Sequence, residues 1–207
     1  MFDFDLYSTV LRLPGIVIGL TLHEFAHGFS AYLLGDTTAK DQGRLTIDPK
    51  AHIDVFGFLM LLFAGFGWAK PVPINPNRFT NRKLGTFIVS IAGVTTNMIL
   101  ALLLTLILGI TLKFYYNETL TNILLYAISI NIVLAVFNLF PIPPLDGSKV
   151  LLSFLPQRFE YYYYNYERYA YFILLALILF DIIDIVLFPI VDFFMNYAIQ
   201  LIVLIGG

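Results

Sequence analysis

Long apolar runs separated by short polar stretches make up most of this chain. The first run covers residues 6–34. Pro14 and Gly15 interrupt it near its start, and Gly35-Asp36 supplies a helix stop signal. Further runs cover residues 85–113, residues 120–140 up to Pro141, residues 169–187 up to Pro189, and residues 190–205. These lengths lie close to the ~20 residues that cross a bilayer as a helix. The pattern predicts five membrane-spanning helices, the last of them short. The most polar stretch, residues 36–84, lies between the first two spans. Within it residues 54–69 are apolar but interrupted by Gly57, Gly65 and Gly67. That length suits a re-entrant or interfacial segment better than a span. On its flanks Arg44, Leu45, Thr46 and Ile47 alternate in polarity like a short strand. Lys70-Pro71-Val72-Pro73-Ile74 alternates too, but its prolines allow only an edge strand or an extended segment.

Composition agrees with this picture. Of the 207 residues 59% are hydrophobic, against about 45–50% in soluble domains even with Gly counted. The mean hydropathy is +0.82. The fold class expected is an all-α polytopic membrane protein: a three-helix core, two C-terminal spans, and a small β/re-entrant element between the first two spans. The whole of residues 1–207 reads as one membrane domain, its core near residues 6–150 and its C-terminal helices near 157–207. No soluble domain, linker or repeat is visible. No cysteine is present, which excludes disulfides and thiolate metal sites. No basic patch with interleaved aromatics points to nucleic acid. The first run lacks a small-residue cleavage site after it, so it does not read as a removable signal peptide.

Charge adds an orientation. Lys40, Arg44, Lys50, Lys70, Arg78, Arg82 and Lys83 lie between the first two spans, and Lys149, Arg158 and Arg168 follow the third. Together they are ten of the twelve Lys and Arg residues. The positive-inside rule places both connections in the cytoplasm. With five spans the N-terminus is then outside and the C-terminus inside, in what reads as a prokaryotic plasma membrane. The tyrosines at 161–164, 166, 169 and 171 suit an aromatic belt at the cytoplasmic interface.

The chemistry sits in the first run. His23-Glu24-Phe25-Ala26-His27 is an HExxH sequence inside an apolar helix. Histidines at i and i+4 share a helix face and hold one zinc ion, with the intervening Glu beside the attacking water. The chain has only three histidines, and polar side chains within a membrane are costly and usually functional. At 1.5 Å per residue His23 lies about 16 Å from the end of its helix, buried but nearer the cytoplasm. A catalytic zinc takes three protein ligands and keeps one open position. Asp146, in Asn138-Leu139-Phe140-Pro141-Ile142-Pro143-Pro144-Leu145-Asp146-Gly147, is the best third ligand: the segment follows the third span on the cytoplasmic side and its three prolines force irregular backbone, although Pro143–Gly147 also reads as an ordinary turn. An alternative set is His23, His27 and His52. His52 is otherwise a loop residue or lies in the second coordination shell.

With HEFAH at 23–27 and NLFPIPPLDG at 138–147, the chain resembles the site-2 protease family of intramembrane zinc metalloproteases. Gly93-Val94-Thr95-Thr96-Asn97 looks like that family's Gly-x-x-x-Asn element. Gly-Arg-Leu-Thr at 43–46 and Lys-Pro-Val-Pro at 70–73 look like its compact subgroup, without PDZ or CBS domain. The resemblance covers most of residues 15–150. It implies a core of the first three spans, one zinc ion on His23, His27 and Asp146, and Glu24 as the catalytic carboxylate. The function expected is regulated hydrolysis of peptide bonds in transmembrane protein substrates within the lipid bilayer. In that chemistry Asn138 stabilises the oxyanion or the substrate backbone, or merely contacts its own helix end. Arg44, Leu45, Thr46 and Ile47, or Val72, Pro73 and Ile74, offer an edge to an unwound substrate, or only pack. Asn97 supports the metal ligands or helix packing. Asp181 and Asp184 read as a pair on one face of the fourth span, near its outer end. The competing class is a zinc- or proton-coupled transporter, and behind it an inactive scaffold.

Overall fold

The computed structural model describes residues 5–64, 67–156 and 158–207. In chain order the helices are α1 (Leu6–Leu33), α2 (Thr38–Asp41), α3 (Pro49–His52), α4 (Val55–Ala64), α5 (Arg82–Phe114), α6 (Glu118–Asn138), α7 (Asp146–Phe154), α8 (Arg158–Leu179) and α9 (Asp184–Gly206). Side-chain caps start α1, α5 and α6. The Asp5 carboxylate accepts from the Tyr7 and Ser8 amides at 3.1 and 3.0 Å, and these bonds hold it below the usual carboxylate range. Asn81 caps α5 and Asn117 caps α6 in the same way. At the end of α1 the amides of Gly35 and Asp36 turn back to the carbonyls of Tyr32 and Ala31. Gly35 takes φ +99°, which closes a Schellman motif.

Among the described residues four helices, α1, α5, α6 and α9, are long and apolar enough to cross a bilayer. The first three pack on one another, and α9 lies against α5 and α6. Small residues allow the close approach. A side chain at Gly15 would meet the Ala127 Cα at 2.6 Å, and one at Gly19 would meet Asn131 Oδ1 at 2.8 Å. The same contacts give direction. Pairing 15 with 127 and 19 with 131 makes α1 and α6 parallel. α5 is antiparallel to them, since Ala31, Phe79 and Val89 cluster where α1 ends and α5 begins. α9 runs with α5: Phe194, Tyr197 and Leu201 share a cleft with Met98, Leu102 and Thr105, and Ile205 lies against Gly109. The start of α1 and the end of α9 therefore lie at the same end of the bundle, with the α5–α6 connection.

This register corrects the five-span expectation, which put the two termini on opposite sides. The chain break falls earlier than Pro189. α8 ends at Leu179, and only Tyr169–Leu179 within it is apolar. At 1.5 Å per residue those eleven residues reach about 16 Å, half the hydrocarbon thickness. The turn is made by Asp181 at φ 56°, a left-handed conformation that Asp tolerates. Pro189 then sits inside the second turn of α9, where its missing N–H forfeits one bond without ending the helix. Asp181 and Asp184 are consequently not on one helix face: one makes the turn and the other begins α9. Tyr161, Tyr162, Tyr166, Tyr169 and Tyr171 are exposed on α8; the side chain of Tyr164 lies outside the described residues.

The expected β element is also corrected. Among the described residues no strand forms, only an isolated antiparallel bridge between Ile53 and Ala69. Residues 55–64 form α4, whose ten residues reach about 15 Å; Gly65 lies outside the described residues. The chain bends at Leu45 and Thr46 instead of running from Arg44 to Ile47 as a strand, and Val72, Pro73 and Ile74 belong to no strand or helix. The reason is a shortage of backbone donors. Pro71 and Pro73 have none, and the Asp48 amide bonds to Thr46 Oγ1 instead. Side chains do the joining: Arg44 donates to the Lys70 carbonyl at 2.9 Å, and the His52 ring donates to the Thr46 carbonyl at 2.7 Å.

Candidate metal centre

His23, Glu24 and His27 are buried on one face of α1. The two rings are held from behind. His27 Nδ1 lies 2.7 Å from the Val89 carbonyl on α5, which can only accept, so Nδ1 carries the proton. His23 Nδ1 lies 2.8 Å from Asn97 Oδ1, also on α5. Both Nε2 atoms then present lone pairs, and they point at each other across 3.0 Å. Gly93 lets α5 come this close: a Cβ there would sit 2.6 Å from His23 Cε1 and 2.7 Å from His27 Nε2.

Asp146 completes the group from the first residue of α7. The irregular stretch after α6 bends back tightly, and a side chain at Gly147 would collide with the Leu139 carbonyl. Ser148 ties the turn to α8 through the Tyr163 hydroxyl at 3.0 Å. Asp146 Oδ2 lies 3.2 Å from His23 Nε2 and 3.0 Å from His27 Nε2. It is buried and has no hydrogen-bond donor. Three acceptor atoms thus converge in a buried place. A single added proton would satisfy one pair of them, whereas a cation satisfies all three. An ion about 2.0–2.1 Å from each donor in tetrahedral geometry needs donors about 3.3 Å apart, and the observed spacings are within a few tenths of an ångström of that. Two imidazoles and one carboxylate, each ring donating its far N–H to an oxygen, are the donor set and support expected of a zinc centre.

Glu24 is buried beside the trio in sequence, and its Oε2 accepts the Val72 amide at 2.8 Å. The segment that the alternation singled out thus meets the site at Glu24. His52 is fully buried at the end of α3, with its ring on the Thr46 carbonyl and its backbone carbonyl on the Lys70 amide. Among the described residues the metal-type group takes Asp146 rather than His52. Asn138 is half-buried, and its Nδ2 donates to the Leu134 carbonyl in its own helix, the helix-end contact set beside its oxyanion role. Asn131 was not foreseen. It bonds to Asn97 at 3.0 Å and is fully buried. A lone amide in the apolar stretch of α6 is the signal that would have found it, the same signal that marks the histidines.

A helical membrane bundle with a buried His–His–Asp centre defines the class of membrane-embedded metalloenzyme. Comparison with known proteins makes this specific. The profile of Peptidase family M50 matches residues 111–180. "Putative zinc metalloprotease YwhC" of Bacillus subtilis is 38% identical over 200 residues, covering 92% of this chain and 91% of the relative. "Putative zinc metalloprotease Rip2" of Mycolicibacterium smegmatis is 27% identical over 197 residues, 91% of this chain and 74% of the relative. "Putative zinc metalloprotease MJ0611" of Methanocaldococcus jannaschii is 29% identical over 153 residues, 72% of this chain and 73% of the relative. No solved structure matches the chain. The chain belongs to peptidase family M50, the site-2 protease family.

Proposed function

We propose that this chain is an intramembrane zinc metalloprotease that hydrolyses peptide bonds in or near transmembrane segments of membrane proteins. The convergence of His23 Nε2, His27 Nε2 and Asp146 Oδ2 without a donor among them carries the reading. These three residues would hold the ion. Bound zinc supplies Lewis acidity toward the scissile carbonyl and toward water. Glu24 takes the proton of the attacking water and returns it to the leaving amine. The Val72 N–H on its Oε2 holds the carboxylate in one orientation. Asn138 keeps a second N–H for the oxyanion. The substrate must unwind, because a helix shields its own peptide bonds, and its freed amides need acceptors. The carbonyls between Lys70 and Ile74 supply them, and the loop around Arg44–Ile47 flanks that edge. The mutual packing of α1, α5 and α6 supports a catalytic core made of these three helices within one membrane domain. The basic residues between α1 and α5 support a cytoplasmic opening for water, with the outer ends of α1 and α9 on the far side. Nothing among the relatives favours transport.

The test is cleavage of a panel of tagged single-span substrates by purified protein, with bound zinc quantified. Glu24→Gln should keep one zinc per chain and lose about 10²–10⁴-fold in cleavage rate. Full activity in this variant would remove Glu24 from the mechanism. No zinc in either protein would overturn the metalloprotease reading.

A further inference from the structure

The polar atoms behind His23 form one line across three helices. Asn131 Nδ2 donates to the Ala127 carbonyl at 2.8 Å. Asn97 Nδ2 donates to Asn131 Oδ1 at 3.0 Å. Asn97 Oδ1 faces His23 Nδ1 at 2.8 Å. Every orientation along this line follows from its far end. A carbonyl only accepts, so Asn131 must turn its NH2 to Ala127 and its oxygen to Asn97. Asn97 must then turn its NH2 to Asn131 and its oxygen to His23. His23 Nδ1 must then donate, which leaves the Nε2 lone pair for a metal. Asn97 by itself enforces nothing: rotated by half a turn, it would offer NH2 to His23 and move the ring proton to Nε2.

We propose that Asn131, which touches neither metal nor substrate, is a positioning residue of the centre: it locks the Asn97 amide and so fixes which nitrogen His23 presents. Both amides are fully buried between α1, α5 and α6, and Gly19 leaves Asn131 the room it needs. The inference rests on His23 being a zinc ligand.

Zinc affinity of the purified full chain, measured by competition with a chromophoric chelator, tests it, together with the absorption spectrum of the cobalt-substituted protein. Asn131→Leu frees Asn97 to rotate and should weaken zinc binding about 10–100-fold, the usual effect of losing an outer partner. It should also alter the cobalt spectrum. Asn131→Asp still accepts from Asn97 and should bind zinc close to the wild-type value. Packing alone predicts the reverse order, because Leu suits a membrane interior better than a carboxyl. In an Asn97→Ala background, Asn131→Leu should have no further effect on affinity. Asn131→Ala replaces Leu in both comparisons if the bulkier variant does not fold. Unchanged affinity in the Leu and Ala variants, Asp weaker than Leu, or a full additive loss in the Asn97→Ala background would overturn the proposal. If His23→Ala binds zinc as well as wild type, the metal-site reading itself fails. If His23→Ala loses zinc while the Asn131 variants keep it, only the positioning role fails.

Discussion

Two buried aspartates at the two ends of this site are treated in opposite ways. Asp36, just past α1, is surrounded by donors. Its carboxylate accepts the Thr38 amide at 3.0 Å and hydroxyl at 2.5 Å, and the Asn75 amide at 2.6 Å. Arg78 lies 3.9 Å away. Asp146 Oδ2 faces the Nε2 atoms of His23 and His27 and has no donor. The first carboxylate is complete without a ligand and pins the end of the 70–78 segment to α1. The second would be completed by a cation held with His23 and His27. Burial alone does not separate an anchor from a site; the sign of the surrounding atoms does.

Removing each aspartate tests that contrast. Asp146→Ala should show the larger effect on metal, weakening zinc binding by more than the roughly 100-fold that an outer partner commands. The metal-free form should lose no stability, because the deleted oxygen had no donor. Thermal unfolding with and without added zinc checks both points: wild type gains stability from the ion, and Asp146→Ala gains none. Asp36→Ala should do the opposite. It strands several donors, so the metal-free protein should lose about 2–4 kcal/mol and keep its zinc-dependent gain. Comparable loss of zinc binding in the two variants would break the contrast. Arg78→Ala should show the smallest effect. The guanidinium is 46% exposed and lies 3.9 Å from Asp36, so a loss of about 0–1 kcal/mol in the same unfolding experiment is expected.

The sequence was most readable where periodicity and chemistry coincided. His23 and His27 at helical spacing had to share a face, and the proline-broken segment before Asp146 had to be irregular; both hold in the structure. The starts of α1, α5 and α6 were legible to within a few residues because apolar runs begin there. The α8–α9 junction was not, because a left-handed Asp181 leaves no pattern in hydropathy, whereas Pro189 looked like a breaker and was absorbed into the second turn of α9. Alternation at residues 44–47 and 70–74 was real but did not make a ladder, since period-two polarity says nothing of whether backbone donors exist. The Asn97–Asn131 pairing and the Val72–Glu24 bond join residues 34 and 48 positions apart, and no local pattern encodes them.

The prolines at 71 and 73 have a further consequence. A stretch of main chain rich in oxygens and poor in N–H groups cannot copy itself. Two molecules brought together along this stretch would oppose like with like, and neither would gain a bond. On the substrate-edge reading proposed above, the same stretch would still accept an unwound chain that arrives with its own N–H groups free. Under that proposal one pair of residues would give both self-avoidance and hospitality toward a foreign strand.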